Sequence, residues 1–251
     1  MFGLQGRVAI VTGGNGGIGL GIARGMAEAG ARIVIAARNA SKSRAAVDEL
    51  STMGAEAVAI EVDVTSETAV ASMTEDVMRR WGRLDVVVNN AGTNIRTPPH
   101  QVTLEQWRTV MDTNLTGAFL CARAAYPHMK TTGGKIINIG SLLSTFGAAF
   151  APAYGASKGG LVQLTKSLAV AWAADNIQVN AILPGWIDTD LSRGARRQIP
   201  GLEQSAVART PMGRWGRPDD LAGIAVFLSS AASDFITGTA IPVDGGYSIA
   251  L

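Results

Sequence analysis

The sequence has little cysteine and little charge. Cys121 is the only cysteine in 251 residues, so no internal disulfide can form. Its apolar neighbours Phe119, Leu120 and Ala122 mark it as a buried, inert thiol suited to a reducing compartment. Charged residues make up 17% of the chain and the formal net charge is +2. The basic residues are scattered, with only short pairs such as Arg79-Arg80 and Arg196-Arg197, so nucleic acid is not an expected partner. No apolar run suits a membrane span, and Arg7 with the glycine-rich stretch behind it interrupts the N-terminus before a leader peptide could form. The expectation is a soluble, cytoplasmic protein. Hydrophobic residues reach 47%, enough to build one core across residues 1–251 and to exclude a disordered tail.

Short β-branched runs recur with helical stretches between them, at Val8 to Val11, Arg32 to Ala36, Ala57 to Val62, Asp85 to Asn89, Lys135 to Ile139, Gln178 to Ile182 and Ala240 to Val243. This alternation predicts an α/β fold, a single-domain Rossmann-type doubly wound parallel sheet of seven strands. Runs such as Val86-Val87-Val88 are continuously apolar, as strands covered on both faces should be, so helices are expected on both sides. Ser41 and Ser66 stand where N-caps belong, and Gly30, Gly54 and Gly82 where helices should stop. From about Gly185 to Gly216 the pattern weakens, which predicts a helical insertion or a lid over a substrate.

The first strand runs directly into Thr12-Gly13-Gly14-Asn15-Gly16-Gly17-Ile18-Gly19, and a helix of small residues follows. Glycines let backbone amides approach a phosphate, and a helix N-terminus favours negative charge, so this context suits the pyrophosphate of a dinucleotide. Two glycine patterns fit, Gly14-x-Gly16-x-x-Gly19 and Thr12-Gly13-x-x-x-Gly17-x-Gly19. The second resembles the cofactor loop of the short-chain dehydrogenase/reductase family. That resemblance implies that Gly13, Asn15, Gly17, Ile18 and Gly19 border the cofactor and that Asp63 and Val64 hold its adenine. It also implies that the segment Asn90-Ala91-Gly92 supports the sheet and the adenosine ribose.

A cofactor lacking a 2′-phosphate is usually met by a carboxylate near the end of strand two. Here the chain reads Ala36-Ala37-Arg38-Asn39, and the Arg38 guanidinium could clamp a 2′-phosphate through charge-assisted bonds. The expected cofactor is therefore NADP, with NAD as the alternative. Relatives often carry a basic residue inside the glycine loop, whereas Asn15 and Gly16 occupy that stretch here, so Arg38 is expected to act largely alone. No metal site is expected.

Interconverting a ketone and an alcohol needs a hydride at carbon and a proton at oxygen, hence an acid titrating near working pH. Tyr154 and Lys158 are spaced to share one helix face, but so are Tyr126 and Lys130. Context separates them. Tyr126 is followed by Pro127 and His128 late in a helix, whereas Tyr154 follows strand five with its terminal Ser141 and precedes the small residues Gly155-Ala156-Ser157. By the resemblance, Ser141 bonds the substrate oxygen, Tyr154 is general acid in reduction and base in oxidation, and Lys158 holds the ribose and lowers the tyrosine pKa. Asn114 matches the position that opens its helix and anchors a relay water. The turn after strand six implies nicotinamide contacts from Pro184, Gly185, Ile187 and Thr189.

Asn94, Arg96, Leu142, Leu143, Ser144, Phe146 and Trp186, together with Ser141 and Tyr154, are expected around the substrate. Their mixed polarity suggests a small oxygenated substrate, and by the resemblance Arg96 stands where sugar-acid and polyol dehydrogenases often carry a basic residue, so the expected substrate is a sugar, sugar acid or polyol. The alternatives are a ketoreductase of acyl or hydrophobic ketones and a catalytically silent dinucleotide sensor. In the helix after Tyr154, Leu161, Leu164, Leu168 and Trp172 form one apolar face while Val162, Thr165 and Ala169 form a second, smooth one. Two such faces imply a partner helix, and the resemblance makes the expected assembly a homotetramer.

Overall fold

A computed structural model describes residues 2–250. Seven parallel strands form one sheet in the order β3-β2-β1-β4-β5-β6-β7. They are β1 Val8–Thr12, β2 Arg32–Ala37, β3 Ala57–Glu61, β4 Val86–Asn89, β5 Gly134–Ile139, β6 Ile177–Pro184 and β7 Ala240–Val243. The central runs are apolar throughout because alternate residues feed two different layers. Ala9, Val11, Val86 and Val88 pack with α1 (Gly17–Glu28), α2 (Ala40–Thr52) and α9 (Ala222–Ser229). Val8, Ile10 and Val87 pack instead with α3 (Glu67–Trp81), α5 (Gly117–Met129) and α6 (Pro152–Trp172). Two buried layers follow, as continuous apolar strands require.

Local sequence sets the helix ends. Ser66 caps α3 by accepting from the Ala69 amide, and Gly82 ends it in the left-handed region at φ 66°. The expected cap at Ser41 is corrected: Asn39 accepts from the Lys42 amide, and Ser41 lies inside α2, its hydroxyl donating to the same Asn39 oxygen. Asn39 wins because it is the last residue with extended backbone, the geometry a capping side chain needs. Residues 185–216 fold as two short helices, α7 (Asp190–Gln198) and α8 (Leu202–Arg209).

The second smooth face expected on α6 is also corrected. Thr165 and Ala169 are buried against the chain's own sheet, and Thr165 accepts from the Asn138 amide of β5 at 2.8 Å. Small residues there serve close helix-to-sheet packing within one chain. No helix among the described residues is long and apolar enough to cross a membrane.

Candidate active site

Sheet order reverses at β1, which lies between β2 and β4, and ligands of open α/β sheets bind outside the strand ends at such a point. Here the loop after β1 and the segment after β4 are tied into one piece. The Thr12 hydroxyl accepts from the amides of Asn90 and Ala91 at 2.9 and 3.0 Å, and the Asn90 side chain donates to the carbonyls of Thr12 and Gly13.

Backbone geometry selects between the two glycine patterns. Gly13 and Gly17 have φ of 62° and 52°, a region that side chains rarely adopt. A Cβ on Gly19 would fall 2.5 Å from the Asn90 amide nitrogen and 2.6 Å from the Gly13 carbonyl. Gly13, Gly17 and Gly19 are therefore the structural set, with Gly19 lying behind the cavity wall. Asn15 fixes the loop to α2 by donating to the Ser43 hydroxyl at 3.0 Å.

Two cavities adjoin along this cradle. The larger, about 380 Å3, is bordered at the loop by Gly13, Asn15, Gly17 and Ile18, and across from it by Asn90, Ala91 and Gly92. Pro184 at the end of β6, with Gly185, Ile187 and Thr189 of the turn after it, closes it on a third side. The smaller, about 210 Å3, holds Arg38, Asp63 and Val64. Asp63 accepts from the Thr65 amide and hydroxyl, and the amide bond above all keeps its carboxyl below the ordinary value. It pairs with Arg38 at 3.9 Å. The residues present fit a dinucleotide, because the two cavities adjoin and share Gly13, Asn15, Ala91 and Gly92 of the glycine loop and the segment after β4.

Two charged residues that border the larger cavity, Lys42 and Asp190, escaped the sequence reading. Lys42 borders both cavities and pairs with Asp190 of α7 at 3.3 Å. No spacing in the sequence announces it, since it reaches the loop from a neighbouring helix. Arg38 is thus not alone beside the cradle.

Three of the four expected catalytic residues, Ser141, Tyr154 and Lys158, border the larger cavity, and Asn114 lies behind it, next to Gly92. Ser141 starts a short turn just beyond β5 and accepts from the Leu143 amide at 3.1 Å. Ser144 fastens that turn to α6: its hydroxyl accepts from the Ser141 amide at 3.2 Å and donates to the Lys158 carbonyl at 2.9 Å. Pro152 opens α6 at its first position, where a missing N–H costs nothing, and the helix then presents Tyr154 and Lys158 to the cavity. Lys158 donates to the Ile139 carbonyl at 2.6 Å and lies 5.6 Å from the Tyr154 ring. Burial pulls its ammonium down to about 8. Burial likewise lifts the Tyr154 phenol above its ordinary value, opposed by the Ser141 hydroxyl and the Arg96 charge.

Asn114 stands in a widened π turn, Asp112–Thr116, between α4 (Leu104–Met111) and α5. Its side chain accepts from the Thr93 amide at 2.8 Å and donates to the Thr93 carbonyl at 2.9 Å and the Ser157 hydroxyl at 3.0 Å. Ser157 in turn donates to the Tyr154 carbonyl at 2.8 Å. By contrast, Tyr126 donates to Asp175 at 2.8 Å and stacks on Trp172, away from the cavity.

Asn94, Arg96, Leu143 and Trp186 border the larger cavity as expected, as does Leu142, whereas Ser144 and Phe146 do not. Arg96 donates to the Leu191 carbonyl at 2.9 Å and to Gln198 at 3.3 Å, tying it to α7. The Asn94 side-chain oxygen and the Trp186 indole nitrogen are buried without a hydrogen-bond partner among the described residues. Phe150 and Ala195 add apolar wall that the sequence did not single out, and Leu191 of α7 borders the same cavity. Cys121 is buried and its thiol is pushed up to about 12, inert as expected.

Comparison with known proteins bears on this geometry. A family model described as Enoyl-(Acyl carrier protein) reductase matches residues 13–248. A 2-dehydro-3-deoxy-D-gluconate 5-dehydrogenase of Pseudoalteromonas atlantica is 40% identical, covering 98% of this chain and 97% of the relative. A cis-4-hydroxycyclohexanecarboxylate dehydrogenase of Sinomonas cyclohexanicum is 40% identical over 96% of both chains. The crystal structure of a gluconate 5-dehydrogenase from Burkholderia cenocepacia, in complex with NADP and tartrate, superposes with a TM-score of 0.95 at 40% identity, over 100% of this chain and 98% of that one. With the glycine cradle, the reversed sheet order and the Ser141, Tyr154 and Lys158 cluster in place, the chain belongs to the short-chain dehydrogenase/reductase family and is an oxidoreductase acting on CH–OH groups.

Proposed function

We propose that this protein interconverts a secondary hydroxyl and a ketone on a small sugar acid, with NADP as cofactor. One observation carries the reading: Tyr154, Ser141 and Lys158 share a single cavity with the half-buried Arg96 and the glycine cradle. NADP, when bound, supplies or takes the hydride. Gly13, Asn15, Gly17, Ile18, Asn90, Ala91 and Gly92 would hold its central part, Pro184, Gly185, Ile187 and Thr189 its nicotinamide side, and Arg38, Asp63 and Val64 its adenosine side.

In reduction, Tyr154 gives its phenolic proton to the substrate oxygen while Ser141 donates a hydrogen bond to the same atom. Lys158 places its ammonium 5.6 Å from the Tyr154 ring, while the Ser141 hydroxyl and the Arg96 charge work against the burial that raises the phenol's pKa. Asn114 is a positioning residue whose side chain bonds Thr93 and Ser157, and its main chain would anchor a relay water. Arg96 would bind a substrate carboxylate. The substrates named for the relatives, dehydrodeoxygluconate and hydroxycyclohexanecarboxylate, share that group, and tartrate accompanies NADP in the solved relative.

Residues 185–216 act as a lid in this reading, since Leu191, Ser192 and Ala195 of α7 border the cavity. We also infer a cytoplasmic homotetramer built on one domain over residues 1–251. The exposed Leu104 and Trp107 of α4 and Phe119 of α5 support an assembling surface there, and light scattering tests it.

The decisive experiment is a matrix of NADP and NAD against sugar acids, polyols and hydrophobic ketones, followed by nicotinamide absorbance with Tyr154→Phe as control. Turnover of carboxylated sugars with NADP supports the proposal. Preference for hydrophobic ketones would shift the reading to a ketoreductase, whose apolar wall Leu142, Leu143, Phe150 and Leu191 already provide. Tight cofactor binding with no turnover on any substrate would make the protein a sensor.

A further inference from the structure

The ammonium of Lys42 occupies the space that a side chain at Gly16 would take. A Cβ built on Gly16 would lie 2.8 Å from Lys42 Nζ and 2.9 Å from its Cε. The cation therefore sits over the glycine loop although the loop itself carries no basic residue. Lys42 also belongs to the wall of the smaller cavity, beside Arg38. That cavity is bordered by two cations and one carboxylate, Asp63, whose pairing with Arg38 is loose at 3.9 Å. The partner of Lys42 is the exposed carboxylate of Asp190 at 3.3 Å, a solvent-facing pair of the kind that contributes little and exchanges readily.

Two lightly held cations on one wall of an adenosine-sized cavity suit a dianion there better than a neutral hydroxyl. We propose that Lys42 is the second specificity residue for the cofactor's 2′-phosphate, supplied to the loop from α2, with Gly16 kept small to admit it. This rests on the proposed use of NADP and deepens it. Asp190 holds the ammonium in place until the phosphate takes it over.

The test is calorimetric binding of NADP, NAD, adenosine 2′,5′-bisphosphate and 5′-AMP to wild-type protein, Lys42→Gln and Gly16→Ala, with folding checked by thermal melting. The expected result for Lys42→Gln is a loss of about ten-fold in affinity for the two ligands bearing a 2′-phosphate, with NAD and 5′-AMP within about two-fold of wild type. Gly16→Ala should move NADP affinity in the same direction by displacing the ammonium. Lys42→Arg should recover most of the loss, and the wild-type advantage for the bisphosphate over 5′-AMP should shrink as salt is raised. Unchanged NADP affinity in a folded Lys42→Gln protein overturns the assignment, as does an equal loss for NADP and NAD, which would place the ammonium on the bridging phosphates. Failure of wild-type protein to bind NADP at all would instead overturn the function proposed above, so the two outcomes are separable.

Discussion

The Lys158 ammonium donates to the Ile139 carbonyl at the end of β5, at 2.6 Å, so the base of the active site is a buried cation held by the sheet itself. It lies 5.6 Å from the Tyr154 ring.

Burial brings Lys158 to about 8 from an ordinary lysine value of 10.5. Below about pH 8 the folded protein carries this charge at a cost that the unfolded chain does not bear. Between about 8 and 10.5 the unfolded chain binds more protons than the folded one, so the cost is relieved as pH rises. Lys158→Met should therefore be more stable than wild type by about 1–2 kcal/mol near neutral pH, with the gap closing toward pH 10. Thermal melts of both proteins across that range check it, and a gap independent of pH would show that the charge is not the cause. Activity should be lost throughout.

The two tyrosines with a lysine one turn on should respond oppositely. Tyr154→Phe is expected to lower kcat by about 10²- to 10⁴-fold while leaving NADP affinity near wild type. Tyr126→Phe should keep full activity and melt at a slightly lower temperature, because it gives up the bond to Asp175. Paired kinetics and denaturation measure both.

Arg96→Ala should raise KM for a carboxylated sugar by at least about ten-fold, with a much smaller effect on a polyol lacking the carboxylate. Because Arg96 also holds the Leu191 carbonyl and Gln198, the same variant should be cut faster by protease within residues 185–216. Equal effects on both substrates would remove Arg96 from carboxylate recognition and leave it a tether.

Asn114→Ala should cost about 2–3 kcal/mol, since the Thr93 amide and carbonyl both lose their partner. Ser157→Ala, which breaks only the link from Asn114 to the Tyr154 carbonyl, should lower kcat with little change in KM. A change confined to melting temperature in Ser157→Ala would make this chain of bonds structural rather than positioning.

The strands were legible because their residues must satisfy two cores at once: Val86 and Val88 serve one layer and Val87 the other. The loop after β1 was legible as a cradle, but only φ at Gly13 and Gly17 separates its two glycine patterns. Asn39 was overlooked as a cap because Ser41 has equal chemical claim, and backbone geometry alone decides. The misread α6 face has a similar origin. Small residues such as Thr165 and Ala169 look alike whether they meet their own sheet or another chain, and here they meet β5. Lys42 and Asp190 lie far apart in the chain, and no local periodicity records a meeting of that kind.

The knot of bonds between Thr12 and Asn90 makes the cofactor cradle a product of long-range assembly. Neither the glycine loop nor the Asn89-Asn90-Ala91-Gly92 segment has its shape until β4 has come to lie beside β1, with α1, α2 and α3 in the chain between them. Recognition of the dinucleotide is thereby coupled to completion of the sheet, so a chain still partly folded offers no half-built site in which a cofactor could lodge.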